Sequence, residues 1–295
     1  MKNTGFFDGW FDSEKRIPFN CNKNPVPIHV INRNLEADRR KVFHPFYDFY
    51  PLEPLRDGMK SKAIPKIIHQ VWSDKYKPLP DFCASLAETW KEKHPDWKYI
   101  YWNEEMMNSF VDLVYPGLSE CYHSLLYDVQ RWDAVRFLIL YKMGGMYVDF
   151  DYECLKNIEP LLPEGKDCCI ATEPQTHAST FHVQNLLSNA LLASVPKSVF
   201  IRKIIYKIFS ACTLSFEGMD KFTFVLKTTG PVMISRIYES LSPKEKKSVH
   251  LLPAKNVTPF DIDQMRQMNP GTIKEEQRNG LKEAYAIHYF TCSWV

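Results

Sequence analysis

The sequence of 295 residues predicts an α/β fold with a mostly parallel central sheet and additional helices. Three observations carry that expectation. Short apolar runs rich in β-branched and aromatic residues alternate with segments of helical periodicity through the first two-thirds of the chain. The switches between them are marked by cap or breaker residues. An apolar content of 45% over this length can also bury a sizeable core.

The elements follow in chain order. Up to about Lys62 the chain is irregular, since Pro18, Pro25, Pro27, Pro45, Pro51 and Pro54 interrupt regular structure. Residues 1–62 therefore read as an irregular N-terminal appendage, and 63–295 as the folded domain. Ile64-Pro65-Lys66-Ile67-Ile68-His69-Gln70-Val71-Trp72 reads as a buried strand. Pro80-Asp81 opens a helix to about His94, with Asp81 as N-cap and Leu86 and Trp90 on one face. Trp97 to Trp102 is a second strand, and Asn103 caps the next helix.

A helix from Asp128 to Met143 has Val129, Trp132, Val135, Leu138 and Ile139 on its apolar side, and Gly144-Gly145 stops it before a strand from Met146 to Asp149. Cys168 to Thr172 reads as a strand, while 189–195 and 199–211 read as helices. Val249 to Leu252 and Ala286 to Phe290 are late strands. In such a fold ligands bind beyond the carboxyl ends of the strands, which is where Asp149 and Asp151 fall.

Lys plus Arg number 37 and Asp plus Glu 35, so bulk charge gives no reason to expect nucleic acid as a partner. Eight cysteines contain no CxxC pair and no zinc-type spacing, and read as free thiols in a reducing compartment. No signal peptide or membrane span is legible, which makes the chain read as cytoplasmic. Phe6, Phe7, Trp10 and Phe11 leave an interfacial membrane contact open; packing of that aromatic arm on the domain is the simpler reading, because Gly9 and Pro18 interrupt any sustained amphipathic helix.

Two carboxylates spaced i, i+2 at a strand end can approach one hard divalent cation if the chain leaves the sheet there. That suits Mg2+ or Mn2+ at a diphosphate, where charge builds on a phosphate leaving group. Alone, a DxD sequence is weak evidence. Its context is specific: the run Asp133-Ala134-Val135-Arg136 through Gly144-Gly145-Met146-Tyr147-Val148-Asp149-Phe150-Asp151 resembles the signature of the DXD-containing retaining glycosyltransferases. That family includes fungal α-mannosyltransferases, α-1,4-galactosyltransferases and bacterial capsule or lipopolysaccharide glycosyltransferases, and the large glucosylating toxins share its core pattern. Residues 64–72, Thr229-Gly230-Pro231 and Ala286-Ile287-His288-Tyr289-Phe290 with Ser293-Trp294 resemble its opening strand, a later helix start and its closing motif. Residues 127–133 and 150–155 are similar to the wording of bacterial members, which suggests a surface-polysaccharide or lipid-linked acceptor at the inner membrane face.

The resemblance implies the GT-A nucleotide-sugar fold and a hexosyl transfer that retains anomeric configuration, from a UDP- or GDP-hexose to a saccharide or lipid-linked glycan. It assigns Mn2+ or Mg2+ to Asp149, Asp151 and His288, and the nucleotide sugar to Val71, Trp72, Asp133, Arg136, Tyr147, Asp149, Ser293 and Trp294. Asp133, Arg136, Asp149, Asp151 and Asn189 are the implied catalytic set. Plainer readings stand beside these: Trp72 as a core aromatic, Asp133 and Arg136 as an i, i+3 surface pair, His288 as a core histidine. Glu173 and Asn189 could equally be cap residues, and Thr229-Gly230-Pro231 either a turn or a helix start offering N–H groups to phosphate. The alternatives at the level of function are a catalytically inactive nucleotide-sugar or glycan-binding protein and a DxD metal-dependent phosphotransferase.

Overall fold

A computed structural model describes residues 63–210, 218–267 and 275–291. The expected appendage 1–62 and the implied ligands Ser293 and Trp294 lie outside the described residues. The chain order begins β1 (Ile67–Val71), α1 (Asp81–Lys93), β2 (Lys98–Trp102), α2 (Glu104–Val114), α3 (Pro116–His123) and α4 (Asp128–Met143). It continues β3 (Gly145–Val148), β4 (Tyr152–Cys154), β5 (Cys168–Thr172), α5 (Gln175–Thr180), β6 (Leu187–Ser194) and α6 (Val199–Ser210). After α7 (Lys221–Thr228) and α8 (Pro231–Glu239) come β7 (Val249–Leu252) and β8 (Ala286–His288).

Six strands form one sheet in the order β2-β1-β3-β6-β5-β7. β2, β1 and β3 pair in parallel, as do β5 and β7; only β6 runs against its neighbours. The α/β class with a mostly parallel central sheet is therefore as the sequence predicts. Side chains alternate across it as a strand requires. Tyr147 and Leu192 face the layer of α4 and α6, among Phe137, Ile204 and Ile208. Met146, Val148 and Leu191 face the opposite layer with Trp90 and Tyr152. Eight consecutive residues of α4, Asp133 to Leu140, are buried, the mark of a helix enclosed on all sides.

Local chemistry sets the turns. Asn103 accepts the Met106 N–H and caps α2 as expected. Pro80, with its fixed φ, occupies the N-cap position of α1, and Asp81 instead sits in the first turn. Gly144 ends α4 at φ 66°, and a Cβ there would lie 2.6 Å from Pro196 Cδ. At Gly145 a Cβ would lie 2.6 Å from the Ile67 carbonyl oxygen, so both positions exclude a side chain.

Two expectations fail. Residues 189–195 are not helical but form most of β6, every residue of which is buried. Ala and Leu favour a helix locally, yet two strand neighbours satisfy this segment's backbone. The cysteines are not all free: Cys83, Cys154, Cys168 and Cys169 are free and buried, whereas Cys121 is disulfide-bonded. Among the described residues no helix is long and apolar enough to cross a membrane.

A second sheet of two strands positions the site. β4 pairs antiparallel with β8, setting Tyr152 opposite His288. The Trp90 indole N–H anchors this corner by donating to the Tyr152 carbonyl at 2.8 Å.

Candidate active site

The chain leaves the main sheet at Asp149, whose N–H still donates to Ala190 O at 2.8 Å. Phe150 and Asp151 then form a turn, so the strand's alternation is broken and both carboxylates reach one cavity. That cavity is about 800 Å³ and is lined by Val71, Trp72, Asp133, Arg136, Asn189 and His288 among others.

On one wall, Arg136 is the hub of a buried cluster. Its Nη2 meets Asp133 Oδ1 at 3.0 Å, and its Nη1 donates to Asp149 Oδ1 at 3.1 Å and to the Asn189 carbonyl at 2.8 Å. The guanidinium lies over the Tyr147 ring, 4.6 Å from its centre, and the Tyr147 hydroxyl donates to Asp149. Asp133 is fully partnered, for Oδ1 also accepts the Asn189 amide at 2.8 Å and Oδ2 the Thr229 hydroxyl at 2.7 Å. The i, i+3 spacing thus serves a buried network instead of a solvated helix face. Burial raises the pKa of both Asp133 and Asp149 despite Arg136, because one guanidinium faces two carboxylates in a dry setting. Arg136 itself is desolvated, but the two carboxylates more than offset this and raise its pKa.

Thr229-Gly230-Pro231 reads in the sequence as either a turn or a helix start that offers N–H groups. The helix does begin at Pro231 with Gly230 as N-cap. However, the N–H groups of Thr229 and Gly230 both donate to Val225 O, at 3.0 and 2.9 Å, and Pro231 has none. The contribution of this segment is the Thr229 hydroxyl, which braces Asp133.

At the opposite corner, Asp151 Oδ1 and His288 Nε2 are 3.2 Å apart, joined by the β4–β8 pairing across 137 positions of sequence. Asp151 Oδ2 accepts both the Thr291 N–H, at 2.9 Å, and its hydroxyl, at 3.0 Å. Burial pushes the Asp151 carboxyl up, but His288 and the Thr291 bonds outweigh it and bring the pKa down to about 2. His288 shifts upward because Asp151 outweighs its own desolvation. Its ring is stacked on Tyr152, with centres 4.3 Å apart, and its buried Nδ1 has no partner. Phe290 adopts φ 50°, a left-handed conformation that costs a bulky residue energy and that turns the chain to bring Thr291 onto Asp151.

The proposed ligands Asp149, Asp151 and His288 do not form a preassembled triad: among the described residues no group of three His, Cys, Asp or Glu side chains could hold a metal. Asp149 Oδ1 is instead engaged by Arg136 and Tyr147. Asp151 and His288 do converge, and a carboxylate with an imidazole is a donor set suited to Mn2+.

Trp72 is half-buried at the cavity edge, its indole N–H donating to Lys77 O at 3.1 Å and its ring meeting Phe150 edge-on. Val71 is buried beside it. His177 was missed by sequence reasoning. It lines the cavity with Glu173, and its Nδ1 lies 2.8 Å from Glu173 Oε2. The i, i+4 spacing was the available signal, but α5 is only 6 residues long and lacks a recognisable helical pattern.

Residues 80–166 match a family model described as "Glycosyltransferase sugar-binding region containing DXD motif". Over that stretch the resemblance drawn from the motif holds. The chain is 29% identical over 196 residues to inositol phosphoceramide mannosyltransferase 1 of Schizosaccharomyces pombe, covering 65% of this chain and 57% of the relative. It is 30% identical over 185 residues to mannosyl phosphorylinositol ceramide synthase SUR1 of Saccharomyces cerevisiae, covering 61% and 43%. The chain thus spans about half the length of these curated relatives. Among solved structures it resembles the PaToxG glycosyltransferase, at 16% identity and a TM-score of 0.45, over 75% of this chain and 82% of that one.

Proposed function

We infer that residues 63–295 are the catalytic domain of a metal-assisted, retaining glycosyltransferase that moves a hexose from a nucleotide sugar to a hydroxyl of a saccharide or lipid-linked acceptor. The observation that carries this reading is the meeting, in one cavity, of the Trp72 edge, the Arg136 cluster and the Asp151–His288 pair. The DXD sugar-binding match over residues 80–166 supports it.

Trp72 offers a flat apolar face for a base. Asp133, Arg136, Asn189 and Asp149 would orient the hexose by hydrogen bonds, and because the cluster is already rigid the sugar is held without reorganisation. Asp151 and His288 would hold the cation, a carboxylate and an imidazole being donors suited to it. A divalent cation there would neutralise charge on the leaving diphosphate.

The relatives' names favour a hexosyl transfer of mannosyl type onto a phosphoinositol-bearing lipid. Bacterial surface polysaccharide has only the local wording of residues 127–133 and 150–155 in its favour. A membrane-face location agrees with a lipid acceptor. The cytoplasmic reading loses part of its basis with the disulfide at Cys121.

The test is a panel of UDP- and GDP-hexoses with Mn2+, scored for nucleotide release by wild type and Asp151→Ala. Release by wild type that falls at least about a hundredfold in the variant is expected, the scale of losing a principal electrostatic contributor. Equal release by both, or none with any donor, would sink the reading.

A further inference from the structure

The cavity carboxylates differ in how fully they are engaged. Asp133 has both oxygens partnered, and Asp151 likewise. Asp149 is tied through Oδ1 to Arg136 and Tyr147, so a guanidinium stands against its charge. Glu173 differs in having no such cation among the described residues. It follows β5, its side chain is 11% exposed, and its Oε2 is held by His177 Nδ1 at 2.8 Å. The Ile262 N–H donates to His177 Nε2 at 3.3 Å, so the ring's hydrogen sits on Nδ1 and points at Glu173. Phe290 packs edge-on against the same imidazole, 5.3 Å away, which fixes the ring.

Among the described residues no lysine or arginine pairs with Glu173. Among the described residues its Oε1 has no partner, yet it is not among the atoms sealed off from solvent, so it opens to the cavity. An unneutralised carboxylate repels a diphosphate and attracts hydroxyl donors. Phe181 and Phe290 in the same wall offer apolar faces to the C–H side of a ring.

We propose that Glu173, oriented by His177, binds the hydroxyls of a neutral polyhydroxylated acceptor, and that this wall is the acceptor subsite. Glu173 accepts a hydrogen bond from the acceptor and holds the attacking alcohol against the donor. His177 is a positioning residue acting through Glu173. The idea rests on the glycosyltransferase reading and narrows it to an acceptor whose recognised part is an uncharged polyol or sugar ring.

The experiment uses the donor found active above and compares nucleotide release without acceptor, which measures hydrolysis, with release in the presence of myo-inositol, methyl hexosides or a hexose phosphate. In wild type a neutral polyol should stimulate release. In Glu173→Gln, which keeps the shape and loses the charge, the ratio of stimulated to basal release should fall about tenfold or more through a raised acceptor KM, the scale of a hydrogen bond to a charged group. His177→Ala should lower the ratio similarly, and His177→Gln, which retains a donor, should recover part of it. A purely structural histidine would lower the melting temperature and both rates together, leaving the ratio unchanged. Parallel loss of basal and stimulated release in Glu173→Gln, an unchanged ratio, or stimulation by the hexose phosphate alone would each overturn the proposal. Absence of basal release from wild type would instead strike at the glycosyltransferase reading itself.

Discussion

Two carboxylates of one motif, two residues apart, sit in opposite worlds. Asp149 borders the cavity from the Arg136 wall, made from a helix and two strands of the main sheet, where its Oδ1 is held by Arg136. Asp151 belongs to a corner made by the small β4–β8 sheet, where its partners are His288 and an exposed threonine. Burial raises the pKa of the first, whereas the facing imidazole and the Thr291 hydrogen bonds outweigh burial and bring the second down to about 2. The difference teaches that the motif has divided labour: one acid is part of the scaffold that fixes the site, the other is poised to exchange its partner for a ligand.

The largest effect should come from removing the hub. Arg136→Ala strands the buried Asp133 carboxylate and the part-buried Asp149, and urea unfolding should show a loss of about 3 kcal/mol. A loss below about 1 kcal/mol would mean that the wall is not the rigid element described.

Acid should then separate the regions. Burial holds His69 down at about 4, with Lys98 adding to the shift; its ring nitrogens are engaged by Gly144 O at 3.0 Å and the Trp102 indole at 3.2 Å. Between 4 and the ordinary value of 6.5 the unfolded chain binds more protons at this residue than the folded one. Stability from neutral His69 is therefore complete above that window and is lost as pH falls through it, by at most roughly 3 kcal/mol. Asp151 contributes in a lower window: its stabilisation is present above the ordinary value of 3.8 and lost towards 2. Urea midpoints measured from neutral to strongly acid pH should show both slopes. His69→Gln should flatten only the upper one.

The finest comparison pairs two threonines that each brace a site aspartate. Thr229 is 1% exposed and donates to Asp133, so Thr229→Val should cost about 1 to 3 kcal/mol by leaving a buried acceptor unpaired. Thr291 is exposed, and Thr291→Val, which keeps the backbone N–H to Asp151, should cost less than about 1 kcal/mol. Equal costs would erase the distinction between wall and corner.

Much of this was legible in the chain. The helix Asp128–Met143 and its two-glycine stop follow from apolar periodicity and from positions that exclude a Cβ. The i, i+3 placement of Asp133 and Arg136 and the DXD turn were equally visible, since each is a local pattern. β6 was not, because Asn189-Ala190-Leu191-Leu192 favours a helix until two strands flank it. The bracing role of Thr229 was hidden too, as it depends on a contact across 96 positions.

The sequence by itself determined where the chain turns, which faces are apolar and which acids stand at the end of a strand, since those follow from steric exclusion, periodicity and residue chemistry over a few neighbours. Only the tertiary structure decided what each acid does. Asp149 meets Arg136 through the docking of α4 on β3, and Asp151 meets His288 through the pairing of β4 with β8. A carboxylate's charge, hydrogen bonds and freedom to bind a ligand depend on which partner the fold brings within about 3 Å of it.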